Sequence, residues 1–82
     1  MYEIMVIPVL STEHLPSRDA LRGLGVMYAK YPYGFFVYMD ESSDEPWFVA
    51  VREWAEEHSP SGWVRFDCDA DTVPDLRVFD WS

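Results

Sequence analysis

Eighty-two residues at 9.6 kDa leave room for one domain, because compact domains rarely divide below about 100 residues. Hydrophobic residues at 49% and charged residues at 26% describe a globular chain, and no apolar run approaches the roughly 20 residues a bilayer requires. Fifteen acids against six bases give a net charge of −9, a field that repels nucleic acid and acidic membranes and attracts basic surfaces, besides conferring solubility.

The opening Tyr2–Leu10 is rich in β-branched residues and predicts a strand, with Pro8 marking an edge, a bulge or its end. Ser11-Thr12 followed by Pro16–Arg22 and Gly23 predicts a short helix, capped at one end and closed by glycine at the other. Strands at about 25–30 and 35–39 are joined through Tyr31-Pro32-Tyr33-Gly34, a link suited to a hairpin. Asp40–Glu45 is a polar loop in which Ser43 or Asp44 can cap a helix opening at Pro46. Trp47, Phe48, Val51, Trp54 and Ala55 recur at helical spacing and form a core-facing stripe. Ser59–Gly62 ends this helix, Trp63–Asp67 alternates as a strand with Val64 and Phe66 inward, and Leu76–Trp81 predicts a final strand. The order β-α-β-β-α-β-β predicts an α+β fold, a small sheet with two helices on one face in a ferredoxin-like arrangement.

Few residues carry catalytic or ligating chemistry. Asp67, Asp69 and Asp71 have the alternation of a calcium loop, but Thr72 and Val78 occupy the positions of its glycine and bidentate acid, so an Asp-rich turn and no metal is expected. Cys68 is the single cysteine. It has no disulfide or zinc partner, and its neighbouring aspartates oppose a thiolate, so it is read as a small packing residue at a strand end. His58 ends the acidic helix, where the dipole favours a cation. His14 follows Ser11-Thr12-Glu13 without an oriented base or oxyanion site and is expected to be a hydrogen-bonded turn histidine. With no Gly-rich phosphate loop either, neither an enzyme nor a cofactor is expected. The absence of a cationic, apolar leader predicts an unprocessed cytoplasmic chain.

The charge is distributed unevenly. Glu3, Glu13 and Asp19 balance Arg18, Arg22 and Lys30 in residues 1–39, so residues 40–82 carry the whole deficit. Glu53, Glu56 and Glu57 would lie about 5–6 Å apart on a helix. Asp67, Asp69 and Asp71 would project at roughly 6.6 Å intervals from an extended segment. Asp40, Glu41, Asp44 and Glu45 form a third cluster, and Asp75 and Asp80 a fourth. Duplex DNA repeats a phosphate every ~3.4 Å per strand, so carboxylate rows can imitate part of a phosphate track. Trp47, Trp63 and Trp81 would add apolar anchors at its rim.

Gly34-Phe35-Phe36-Val37-Tyr38-Met39 resembles the RNA-stacking strand of the RRM fold. Tyr33 stands where that family has a basic residue, and the −9 charge opposes phosphate, so these aromatics are assigned to the core. Over most of its length, through Ser11-Thr12-x-His14-Leu15, Gly34–Tyr38, Asp67-x-Asp69-Ala70-Asp71 and Asp80-Trp81, the chain resembles short acidic proteins of phages and mobile elements. Its size and acidity are also similar to anti-CRISPR and anti-restriction inhibitors, several of which mimic DNA. The resemblance implies a non-enzymatic inhibitor whose partner is a basic nucleic-acid-binding protein or CRISPR effector complex. An antitoxin-like or housekeeping interaction module, dimeric through an apolar surface, is the rival expectation, and a small calcium-binding module a third.

Overall fold

The structure is a computed structural model that describes residues 4–79. Strand β1 (Val9–Ser11) leads into a single 3-10 turn at Thr12–His14, and β2 (Tyr28–Tyr31) pairs with β3 (Gly34–Tyr38). Helix α1 (Pro46–His58) and strand β4 (Trp63–Asp67) follow. The sheet order is β1-β4-β3-β2, with β1 parallel to β4 and the other two pairings antiparallel. The fold is therefore α+β, a four-stranded mixed sheet with one helix among the described residues. That helix is not long and apolar enough to cross a membrane.

The ferredoxin-like arrangement with two helices is corrected by three observations. Pro16–Arg22 forms turns rather than a helix; Leu15 and Leu21 enter the core from an irregular segment, and no repeating apolar stripe gives a helix a face to bury. Strand β4 lies between β1 and β3, so β1 sits at an edge. Residues 76–79 form no strand, because Phe79 N–H donates to the Glu13 carbonyl at 2.8 Å and the segment runs past the turn of residues 12–14. Asp80 and Trp81, like Tyr2 and Glu3, lie outside the described residues.

Residue alternation gives the sheet two unlike faces. Leu10, Phe35, Val37, Val64 and Phe66 fall on one face by register, and all but the half-buried Phe35 are buried there. Phe48, Val51 and Ala55 of α1 complete that core, with Trp47 and Trp54 packed against it, as the helical spacing predicts. Burying an apolar side chain of this size contributes about 1.5–3 kcal/mol. Glu45 is the N-cap but makes no side-chain cap bond. Ser43 instead accepts the Glu45 N–H at 3.2 Å, and Pro46 opens the first turn, where a missing N–H costs nothing.

The opposite face carries Val9, Tyr31, Phe36, Tyr38, Trp63 and Arg65, and no helix or strand among the described residues lies across it. Tyr31 packs on Phe36 with ring centres 5.1 Å apart, and Tyr38 on Trp63 at 5.3 Å. The expectation that Gly34–Met39 supplies core aromatics is thus half corrected. Phe35 and Val37 face the core, while Phe36 and Tyr38 face away from it, because successive strand side chains alternate.

Candidate functional site

The acidic residues occupy four places, built by different elements. Glu53 and Glu57 stand one turn apart on α1, and the segment after β4 brings Asp75 beside them. Together with Ala50, Trp54 and Leu76 they line a shallow depression of about 250 Å3. Leu76 is the buried anchor that holds this segment against the helix. The structure thus unites two clusters that are 18 residues apart in the sequence. It also divides the expected helix row, since Glu56 lines another groove with Arg52, Tyr38 and Gly62.

The loop before α1 holds the next set. Asp44 and Glu45 border a depression with Ser42, Ser43, Gly23 and Leu24, and Glu41 is exposed. The hydroxyl and amide of Ser42 hold the Asp40 carboxyl below the ordinary carboxylate range. Arg52 is nearest in charge, yet its guanidinium donates to the backbone carbonyls of Asp40 at 3.1 Å and Ser43 at 3.3 Å. It fastens the loop to the helix rather than pairing with a helix glutamate.

Only Asp67 of the last cluster belongs to a strand. Asp69 lies in a turn and Asp71 beyond it, so the expected extended row of three aspartates is not formed. The Asp67 carboxylate accepts the Asp69 N–H at 2.8 Å, which closes the turn, and the Tyr31 hydroxyl at 2.7 Å. These bonds, the backbone one first, hold Asp67 below its ordinary range. Burial, then the hydrogen bond to Asp67 and its charge, push the Tyr31 phenol up to about 12. The ligand atoms of Asp67, Cys68 and Asp69 lie within 4.8 Å of one another. Both Asp67 oxygens are already engaged with the protein. Cys68 is exposed, which corrects the expectation of a packed strand-end residue: it follows β4, where the chain has already turned out of the core.

Among the described residues the ion pairs are Arg22–Asp19 at 3.5 Å and Arg65–Asp67 at 3.9 Å. Glu53, Glu57 and Asp75 therefore line one depression without an ion pair among the described residues, and like charges so grouped repel. Of the aromatic rim residues, Trp47 and Trp63 are half-buried and Trp81 lies outside the described residues. His58 Nδ1–H donates to the Trp54 carbonyl, 2.8 Å away, and the ring stacks on the Trp54 indole with centres 4.4 Å apart.

Two features escaped sequence reasoning. One is the aromatic sheet face, on which Tyr31, Phe36 and Trp63 are half-buried and Tyr38 is exposed, signalled in the sequence by the alternation within Gly34–Tyr38. The other is the depth of His14, which is 1% exposed and bridges residues far along the chain. No curated protein and no solved structure matches the chain. A family model described as "Family of unknown function (DUF5983) C-terminal domain" matches residues 7–81. With nearly its whole length inside that match, the chain belongs to the DUF5983 C-terminal domain family.

Proposed function

We propose that the chain is a non-enzymatic inhibitor of the anti-CRISPR kind, which occupies the Lys/Arg groove of a nucleic-acid-binding protein or effector complex in the cytoplasm. The observation that carries this reading is the meeting of Glu53, Glu57 and Asp75 around Trp54 and Leu76, with no counter-ion among the described residues. Carboxylates that repel one another cost stability in the free protein and regain it against a basic partner. Long-range attraction would speed encounter, and the apolar floor would supply contact area. Asp40, Glu41, Asp44 and Glu45 extend the negative field beyond the start of α1. Inhibition is by exclusion of nucleic acid, with no bond broken. A phage or mobile-element origin belongs to the same proposal.

The test is capture of partners from bacterial lysate on the immobilised chain, eluted with a salt gradient. The expected partner is a nucleic-acid-binding protein that elutes at moderate salt and is lost with Glu53→Lys/Glu57→Lys. A partner retained by that variant at high salt would sink the proposal.

A second reading is favoured by one observation: Phe36, Tyr38 and Trp63 lie on a sheet face that no described element covers. An apolar interaction module, antitoxin-like or dimeric, would use that face. Salt-insensitive association abolished by Trp63→Ser would support it over the acidic one.

A further inference from the structure

The molecule has a second, oppositely charged place. Arg18, from the loop after the 3-10 turn, and Lys30, on the edge strand β2, line one groove of about 400 Å3 at the hairpin end of the sheet. Thr12, Tyr33, Gly34 and Phe35 share its wall. The register explains the grouping: Lys30 pairs with Phe35, and Tyr31 with Gly34, so the Pro32-Tyr33 turn closes the groove's end. Neither cation is in an ion pair among the described residues, although the chain carries a net −9. Arg22, the other base of that segment, is paired with Asp19. Two cations on the wall of one groove, outside the ion pairs of the described residues, give so acidic a chain a local site of opposite sign.

We propose that this groove binds a small anion attached to a planar ring, of the nucleoside monophosphate class. A guanidinium offers a fork that matches phosphate oxygens, and an ammonium adds a point charge. The Thr12 hydroxyl is a further donor. The ring has two aromatic surfaces to lie on: Tyr33, which is 59% exposed, and the half-buried Phe35. The Tyr31 hydroxyl is committed to Asp67 and the Phe66 carbonyl, so Tyr31 contributes only ring surface. The volume falls inside the range of about 300–1,000 Å3 usual for small-molecule sites.

Charge also sets the size of the ligand. A mononucleotide places its two charges inside the groove. A polynucleotide would extend beyond the groove, past Cys68 on its wall, onto a surface of a chain with net charge −9, where further phosphates are repelled. The site is independent of the acidic helix face and survives if that reading fails.

Amide chemical shifts of the full chain, titrated with AMP, adenosine, inorganic phosphate and a short single-stranded oligonucleotide, test the assignment. AMP is expected to give saturable shifts at Thr12, Arg18, Lys30, Tyr33 and Gly34. Adenosine and phosphate alone should each bind at least roughly tenfold more weakly, since each lacks half of the contacts. Arg18→Ala/Lys30→Ala, both at exposed positions, should abolish the shifts and leave the rest of the spectrum unchanged. The proposal is overturned if AMP gives no saturable shift, if phosphate or adenosine binds as tightly as AMP, if the double variant still binds, or if the oligonucleotide binds more tightly than AMP.

Discussion

His14 Nδ1 lies 2.8 Å from the carbonyl oxygen of Arg77, across 63 residues of chain. On the other side of the ring, Nε2 is 2.8 Å from the Val73 N–H. An amide can only donate, so Nε2 accepts and the ring proton sits on Nδ1, where it donates to Arg77. The imidazole therefore ties the segment after β4 to the turn that follows β1. The same segment delivers Asp75 and Leu76 to the helix, so the acidic depression depends on a histidine outside it.

His14→Ala should destabilise the protein by about 2–4 kcal/mol, because it empties a buried site and takes a partner from the part-buried Val73 amide and Arg77 carbonyl. Urea denaturation measures the loss. Hydrogen exchange should accelerate first at the Val73 and Phe79 amides. Equal acceleration across β3 and β4 would mean that His14 supports the whole core rather than this segment.

Gly34 faces the Phe66 carbonyl so closely that an added Cβ would fall inside its van der Waals envelope. Gly34→Ala should thus cost about 1–3 kcal/mol or more through displacement of β3 from β4. Thermal denaturation checks this, with Ala29→Gly on the neighbouring edge strand as a milder control. A Gly34→Ala protein as stable as the parent would contradict the register of Gly34 with Asp67.

The Tyr31–Asp67 hydrogen bond works in opposite directions at the two ends of the pH scale. The phenol's folded-state value of about 12 lies above its ordinary 10.0, so its contribution is intact below about pH 10 and is lost as the pH climbs towards 12. The Asp67 carboxyl is held below its ordinary 3.8, so its contribution is present above that value and is lost as the pH falls through the lowered one. The stability gap between the parent and Tyr31→Phe should be widest at neutral pH and shrink at both extremes. In an ultraviolet titration, one of the five tyrosines should ionise late, and Tyr31→Phe should remove that late step.

Repulsion among Glu53, Glu57 and Asp75 predicts that the melting temperature rises with sodium chloride from low ionic strength, because salt screens exposed like charges. Glu57→Lys should raise the low-salt melting temperature and flatten its salt dependence. A melting temperature indifferent to salt would mean that the three carboxylates do not repel and lie further apart than the depression they line implies.

Local patterns in the chain were enough to specify α1, the β2–β3 hairpin and β4. Each carries its own periodicity: Phe48, Val51 and Ala55 at helical spacing, Val64 and Phe66 at alternate positions, and Pro32-Tyr33 between two strands. The same patterns assigned a helix to Pro16–Arg22, because capping and breaking residues were present there without an apolar stripe to give the helix a face. Composition alone determined that residues 40–82 carry the excess acid. Which acids meet was decided by tertiary structure, since Asp75 reaches Glu53 and Glu57 through the buried Leu76 and the His14 bridge, neither of which leaves a periodic trace. Sheet order was settled there as well. Parallel pairing of Val9–Ser11 with Arg65–Asp67 joins segments over 50 residues apart, and pairing at that distance is governed by burial of two faces at once, not by either segment's preference.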